Sequence, residues 1–583
     1  MLKAIKLIEE EVSNYIEGQT PITEGNYFSQ YKLVKRIGLY ANQIYPTGKL
    51  DSQGNYKYWF DIITPRINAE IKNVDFDTKD IILYSENNKD SSSIFLANAA
   101  LKEWMRETGQ AEKLNEAVEE SAGWGNVLLK KIKGGYEKCD LKNTYIINQT
   151  AKTIDETSVI ERHEMTQSDL RAKSDVWNNI EDVILKCGNK SLSATLKSPS
   201  SGTQIPYYEI FERNGEISEE ALFEAQDKVG KEGASLGKSD VFVLAKIVCA
   251  GLGKKSDKDD KFILYADKIS KMPYKEYHRG KYEGRWWRMG LYEILFDIQT
   301  RANEIGNQIA RGLEWASKTF FKTKNQLIVQ NILSDLINGD IIESEDLSQI
   351  TVRMEGFDQL IADWNRIIKL ADDLANSYEV ITGETLPSGT PFRLGGLLNI
   401  NANKLFDFLR EKLALAIKEV FEDWILPDVI SNLKTKDILR LTGNSDYLKR
   451  FYEMAVDAWY IKNLIVLGPH TSDEATTLKQ AKLEEIKKYP EALVKLEKDT
   501  FAEVKPRVNV VITGEQVNLA TDMETLSQFI QLESDPVRRT ALIEMAMARK
   551  NIDIGMLPKS KPEELKPVSQ LVGASERGGE KVI

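Results

Sequence analysis

The residues most able to do chemistry are few and scattered in this chain. Closest to a phosphate-binding motif is GASLGKS, Gly233 to Ser239. A phosphate loop needs four residues between its glycines so that successive amides curl round the anion, and it leaves a strand to enter a helix. Here three residues separate Gly233 from Gly237, and the segment runs from a polar helical stretch into the strand-like DVFVLAKIV. A Gly-rich surface turn accounts for it; a nucleotide-dependent enzyme using Gly233 to Ser239 is the alternative. His163, His278 and His470 stand far apart with no HExxH spacing and no cysteine partner, so they read as structural histidines. Cys139, Cys187 and Cys249 form no CxxC pair, which fits a reducing compartment and a fold without disulfides. The acidic run SDKDDK, Ser256 to Lys261, lacks the glycine and terminal glutamate of a calcium loop and reads as a solvated hairpin tip. No catalytic residue, metal or cofactor is expected.

Composition narrows the partners. A chain of 583 residues with net charge -11 is poorly suited to wrapping nucleic acid, because neutralising phosphate takes clustered Lys and Arg. A protein that lets DNA pass without gripping it stays compatible. The N-terminus MLKAIKLIEEEVSNYIE is an amphipathic helix without a signal-peptide apolar run, and no 18-residue apolar stretch occurs. The expectation is a soluble chain, cytosolic when made, with no membrane partner.

The elements that would position any site fall into two regimes. Residues 1 to 120 look mainly helical, with an insert at YPTGKLDSQGNYKYW where Gly and Asn mark turns between aromatic half-strands. From Trp124 the pattern turns to β: GWGNVLLKKIKGGYEKCDLKNTYIINQ gives two strands around Gly134 and Gly135, and YYEIFERNG, DVFVLAKIVCAGL and KFILYA give more. Between them, ISEEALFEAQDKVGKEGASLGKSD reads as a polar surface insertion. After Arg285 long helices dominate. Leu291, Ile294, Leu295, Ile298, Ala302, Ile305, Ile309 and Leu313 recur every three or four residues, predicting a helix of about 30 residues and roughly 45 Å.

A second helix carries Phe357, Leu360, Ile361, Trp364, Ile367, Ile368, Ala371, Leu374, Ala375, Tyr378 and Ile381. The 35 or so residues between the two helices form a small module at the end of a helical hairpin. TLPSGTPFRLGGLLNINANK, Thr385 to Lys404, then reads as a loop, and NKLFDFLREKLALAIKEVFEDWILPDVI as a third long helix ended by Pro427. RVNVVITG is strand-like. Helices are expected at Thr521, with Glu524 completing a capping box, and at Asp535–Pro536. The tail beyond Leu557 reads as disordered.

The stretch TIDETSVIERHEMTQSDL, the stretch YHRGKYEGRWWRMGLYEILFDIQTRANEIGNQIARGLEWASKTFF, and the order helix, small module, helix, loop, helix together resemble the portal proteins of tailed bacteriophages. The resemblance is one of architecture and loose pattern, and it covers about residues 20 to 555. It implies a predominantly helical α+β chain that assembles as a dodecameric ring at one capsid vertex. Through the ring a terminase drives double-stranded DNA, which later leaves by the same route; no enzymatic activity of the chain itself is implied, and another head-tail adaptor or scaffold protein is the alternative among interaction proteins. The implied partners are further copies of the chain, the major capsid protein, the terminase large subunit, head-tail adaptor or neck proteins, and DNA in transit without sequence specificity. The implied location is the virion, after assembly in the host cytoplasm.

On that resemblance residues 1–289 and 430–514 correspond to the wing, 290–321 and 357–383 to the stem helices, and 322–356 to the clip. Residues 384–403 correspond to the tunnel loop, 404–429 to the channel helix, 515–557 to a short crown and 558–583 to a flexible tail. The loop would offer Ser388, Thr390, Arg393, Asn399, Asn401 and Asn403 to passing DNA, with Gly383, Gly389, Gly395 and Gly396 as hinges. Glu304, Arg311, Asp363 and Asp372 would lie on the channel face of the stem. Lys324, Asn325, Asp340 and Glu343 would lie in the clip, where terminase or adaptor binds. DNA carries a charge every 1.7 Å or so, and an acid-rich stem would keep it centred by repulsion. The apolar seams would pack between neighbouring subunits.

Overall fold

The computed structural model describes residues 2–188 with omissions at 19, 24–25, 52–53, 75–77, 79–80 and 85–90, then 206–230, 240–252, 261–317, 320–322, 348–350, 356–376, 392–432, most of 452–463, 472–488, 507–510 and 530. The chain divides into two compact units. One comprises Met1–Glu86, Ala97–Leu433 and Phe501–Ile512, the other Asn87–Leu96, Lys434–Thr500 and Thr513–Ile583. The expected helices at Thr521 and Asp535 and the tail lie outside the described residues.

Among the described residues the fold is α+β. In chain order the elements begin with helix α1 (Lys3–Glu17), strands β1 (Thr20–Thr23) and β2 (Asn26–Phe28), α2 (Gln30–Ala41), α3 (Ile63–Val74), β3 (Ile81–Tyr84), α4 (Ser91–Glu107) and α5 (Gln110–Trp124). There follow β4 (Asn126–Ile132), β5 (Gly135–Lys138), β6 (Thr144–Ile146), β7 (Val159–Thr166), α6 (Gln167–Arg171), α7 (Ile180–Lys186), β8 (Tyr207–Ser218), α8 (Glu219–Lys228), β9 (Phe242–Ala250), β10 (Phe262–Lys268) and β11 (Tyr274–His278). The helical part holds α9 (Leu291–Ile294), α10 (Phe296–Ser317), β12 (Phe320–Lys322), β13 (Ser348–Ile350), α11 (Phe357–Ala375), α12 (Phe392–Val420), a π-helical turn (Phe421–Ile425) and α13 (Leu426–Asn432). The second unit contributes α14 (Ser472–Lys488), and β14 (Arg507–Val510) returns to the first unit to pair antiparallel with β3.

The largest sheet is five-stranded and antiparallel, in the order β10-β9-β8-β7-β6. Its strands alternate between two cores because successive side chains point to opposite faces. Ile247 and Cys249 join one core with Ile5 and Ile8 of α1 and with Ala221, Leu222 and Ala225 of α8. Val248 and Ala250 join the other with Leu170 of α6 and Ile180 and Val183 of α7. The stretch expected to be a polar surface insertion is thus, in its first half, a packed helix: the polar residues of EEALFEAQDK hide an apolar spacing of one, three and four residues. The hairpin expected across SDKDDK has its two strands, β9 and β10, paired antiparallel. A second sheet, β11-β4-β5, is three-stranded, and β4 and β5 meet around Gly134, whose φ of 82° suits glycine in a tight turn.

The long helices pack inward. Ile298, Ala302 and Ile305 of α10 and Ile367, Ala371 and Ala375 of α11 share one core with Ile62, Ile63 and Ile67 of the N-terminal region. These seam residues therefore pack within the chain rather than between neighbouring subunits. The first stem helix is also broken at Leu295, so α10 has 22 residues instead of about 30. Gly290 caps the start of α9, and its backbone lies so close to Gly125 that a Cβ would sit 2.3 Å from the Gly125 nitrogen.

An extended arm, residues 58–62, runs along α10. The Tyr58, Phe60 and Ile62 N–H groups donate to Asn307 Oδ1 (2.8 Å), Asn303 Oδ1 (2.9 Å) and Gln299 Oε1 (2.9 Å). Two extended residues advance about 6.6 Å and four helical ones about 6 Å, so every second arm residue meets every fourth helix residue. A carboxamide ladder thereby replaces the strand partner that the arm lacks.

Candidate functional site

A dense cluster of ionisable side chains lies where β4 of the smaller sheet meets β7, β8 and β9 of the larger one. Strand register puts Glu161 directly opposite Glu212, and both are buried. Like charges facing each other across a strand pair are unfavourable. Lys130 of β4, itself 4% exposed, compensates them: its Nζ lies 2.6 Å from Glu161 Oε1 and 2.8 Å from Glu212 Oε1. Lys246 Nζ adds a contact of 2.7 Å to Glu212 Oε1. The Tyr274 hydroxyl donates to Glu161 Oε1 at 2.6 Å, and Asn214 Nδ2 donates to Glu212 Oε1 and to the Tyr274 oxygen. Two residues along β7, His163 brings Nε2 to 3.6 Å from Glu212 Oε2 and 3.9 Å from Glu161 Oε2.

The electrostatics follow from this packing. Burial pushes the Glu212 carboxyl up, but the neighbouring His163 imidazole and the Lys130 and Lys246 charges outweigh it and hold the group well below the usual carboxylate range. Burial likewise opposes the Lys130 charge, and the two glutamates overcome that and raise its pKa. Burial and the nearby Glu161 push the Cys139 thiol well up, so it stays protonated and unreactive. Chemically the cluster balances charge, and its one imidazole and two carboxylates are the groups in it able to ligate a metal. His163, expected to stand alone, is therefore part of an assembly that sheet register creates.

A second buried assembly anchors α12. His278 Nδ1 is 2.8 Å from Asn126 Oδ1, and its Nε2 is 3.1 Å from Glu276 Oε2. Burial lowers the His278 pKa despite Glu276. Lys412 Nζ donates to the His278 carbonyl at 2.8 Å, and burial together with Arg288 and Arg279 lowers its pKa. Arg279 forms a two-pronged pair with Glu70 at 2.7 and 2.8 Å. Further along, Lys275 Nζ donates to the Glu419 carbonyl at 3.0 Å and pairs with Asp423 in the π-helical turn. His278 thus sits in a packed, hydrogen-bonded setting; His470 lies outside the described residues.

The expected channel-face residues are each engaged within the chain. Glu304 and Asp363 both pair with Arg301 at 3.2 Å, which links α10 to α11. Asp372 pairs with buried Arg66 at 2.6 Å, and Arg311 with Asp51 at 2.6 Å. Of the four, only Asp372 is an acid met by a base outside the two helices; Glu304 and Asp363 share Arg301 within them, and Arg311 is itself met by an acid, Asp51.

The expected tunnel loop needs correction. From Phe392 onward the segment is helical and continuous with the third helix, so Arg393, Gly395, Gly396, Asn399, Asn401 and Asn403 lie in α12. Two glycines cost about 1 kcal/mol each in a helix. The apolar spacing of Leu394, Leu397, Leu398 and Leu405 and attachment to a strongly helical stretch offset that cost. Nor does Pro427 end the third helix. Pro lacks an N–H and its ring crowds the carbonyl four residues back; the π-helical turn precedes it, and α13 carries the chain to Asn432. Gly383, Ser388, Gly389 and Thr390, the clip residues Lys324, Asn325, Asp340 and Glu343, and the loop Gly233 to Ser239 lie outside the described residues. At the clip boundary, β12 and β13 pair antiparallel, Phe320 opposite Ile350.

No family model matches the chain, and no curated protein matches it. Among the described residues, no helix is long and apolar enough to cross a membrane.

Proposed function

We propose that this chain is the subunit of a portal-type ring, a structural conduit for double-stranded DNA at a capsid vertex and a platform for terminase and adaptor proteins. The observation that supports this reading best is the order of elements after Arg285. Helix α10 leads through β12, a segment of 25 residues and the antiparallel β13 into α11, which packs back on α10. That is a helical hairpin whose connecting segment begins and ends in a strand pair. A third long helix follows and is clamped to the sheet by Lys275 and Lys412.

Contacts between copies would use the apolar side chains that the intrachain core leaves exposed: Leu313, Ile361, Leu370 and Leu374 on the hairpin, and Phe408 and Leu415 on α12. DNA would pass without being gripped, in keeping with the net charge of -11. Stoichiometry provides a test. Quantitative mass spectrometry of capsid particles formed with this chain should find about a dozen copies per particle, as one closed ring requires. Hundreds of copies per particle, or none, would contradict the proposal.

A further inference from the structure

We propose that Glu161, His163 and Glu212 form a binding site for a divalent transition ion of the zinc class, independent of any role in DNA passage. One ligand atom from each of the three residues lies within 4.8 Å of the other two. The orientation of the carboxylates supports the assignment. Lys130, Lys246, Tyr274 and Asn214 all engage the Oε1 atoms of the two glutamates. The Oε2 atoms turn the other way, toward His163 Nε2. That nitrogen is wholly buried and has no hydrogen-bond partner.

Its separations from the two oxygens, 3.6 and 3.9 Å, are too long for a hydrogen bond. They approach the edge of a tetrahedron around an ion with ligands at about 2.1 Å, which is roughly 3.4 Å. An inward movement of His163, with the two carboxylate oxygens drawing together from within 4.8 Å, completes three ligand positions.

The chemistry of the set selects the ion. One imidazole nitrogen and two carboxylate oxygens make a mixed nitrogen and oxygen set with few ligands, which suits Zn²⁺ or Co²⁺. Ca²⁺ takes six to eight oxygens, and Mg²⁺ demands near-ideal octahedral geometry. The groups on the Oε1 atoms act as the outer partners that orient ligating carboxylates. Because the ligands sit on β7 and β8, whose glutamates are held by Lys130 of the other sheet, a bound ion would fasten the junction of the two sheets.

The test uses the full chain, stripped with a chelator and titrated with CoCl₂ at neutral pH. The expected result is uptake of one equivalent with the visible absorption of low-coordinate Co²⁺, displaced by Zn²⁺ but not by excess Mg²⁺ or Ca²⁺, and a Tm raised by several degrees with Zn²⁺. His163→Asn should weaken uptake at least 100-fold while keeping the Tm of the metal-free chain. His163→Cys should retain uptake and add a thiolate-to-cobalt charge-transfer band, a gain of signal that a misfolded variant would not give. No stoichiometric uptake by the unmodified chain, uptake unchanged in His163→Asn, or uptake by His163→Cys without the thiolate band would each overturn the proposal.

Discussion

Glu161 and Glu212 face each other directly across the β7–β8 pair, both buried. Two strands of one sheet can hold them there because a third residue, Lys130, arrives from the other sheet to lie between them. Removing one member of a buried ionic group leaves an uncompensated charge, which typically costs 3–5 kcal/mol. Lys130→Met should accordingly lower unfolding free energy by about that amount at pH 7, read by chemical denaturation. A loss below about 1 kcal/mol would show that the carboxylates are not held as ions.

The same cluster sets a pH window. Glu212 is depressed below its ordinary 4.5, so its contribution to stability is full above that value and is lost as pH falls through the folded-state value. Lys130 is raised above 10.5, so its contribution is full below that value and is lost as pH rises through the folded-state value. The cluster's contribution should therefore be flat between the two ordinary values. In Lys130→Met, acidification toward pH 4.5 should reduce the stability gap to the unmodified chain, because protonation then relieves the opposed carboxylates. A gap that widens on acidification would contradict the assignment of charge.

Ile305 is fully buried in the core that α10 and α11 share with the N-terminal region. Truncating a buried isoleucine to alanine costs about 2–5 kcal/mol. Ile305→Ala should thus lower the Tm of the single chain whether or not it assembles. An unchanged Tm with impaired assembly would place Ile305 between subunits instead.

The Asn303 carboxamide accepts the Phe60 N–H at 2.9 Å and stands in the middle of the ladder. Asn303→Leu would leave that half-buried donor unpaired, at a cost toward the low end of about 1–3 kcal/mol. Limited proteolysis should then cut the 58–62 arm faster than in the unmodified chain. Equal cutting rates would mean that the arm is held by its aromatic side chains and not by the ladder.

Gly395 and Gly396 lie within α12. Replacing both by alanine should stabilise the chain by about 1 kcal/mol per residue if that stretch is helical, a rise in Tm of a few degrees. A fall in Tm would return the segment to the loop that its glycine content suggests.

Much of the framework was legible because periodicity reports directly on burial. The alternation of GWGNVLLKKIKGGYEK gave β4 and β5, and the 3.6-residue spacing from Ile298 to Ile305 gave the core face of α10. What periodicity cannot say is what the apolar face packs against: much of the seam assigned to neighbouring subunits packs within the chain, while Leu313, Ile361 and Leu374 stay exposed. Composition misled where it competed with spacing. Gly395 and Gly396 suggested a loop, and the acids of EEALFEAQDK hid α8. The Lys130, Glu161, Glu212 and His163 cluster was illegible because it depends on register between strands far apart in sequence. A faint signal did exist for the arm: carboxamides at 299, 303 and 307, one per helical turn, are an unusual choice for a solvated face.

The most direct measurement for the portal reading is mass photometry combined with negative-stain electron microscopy of the purified full chain. Closed rings of about a dozen 66.2 kDa subunits, with a central hole wide enough to pass duplex DNA, are the expected result. Open filaments, compact dimers, or closed rings whose hole is too narrow for a duplex would contradict it.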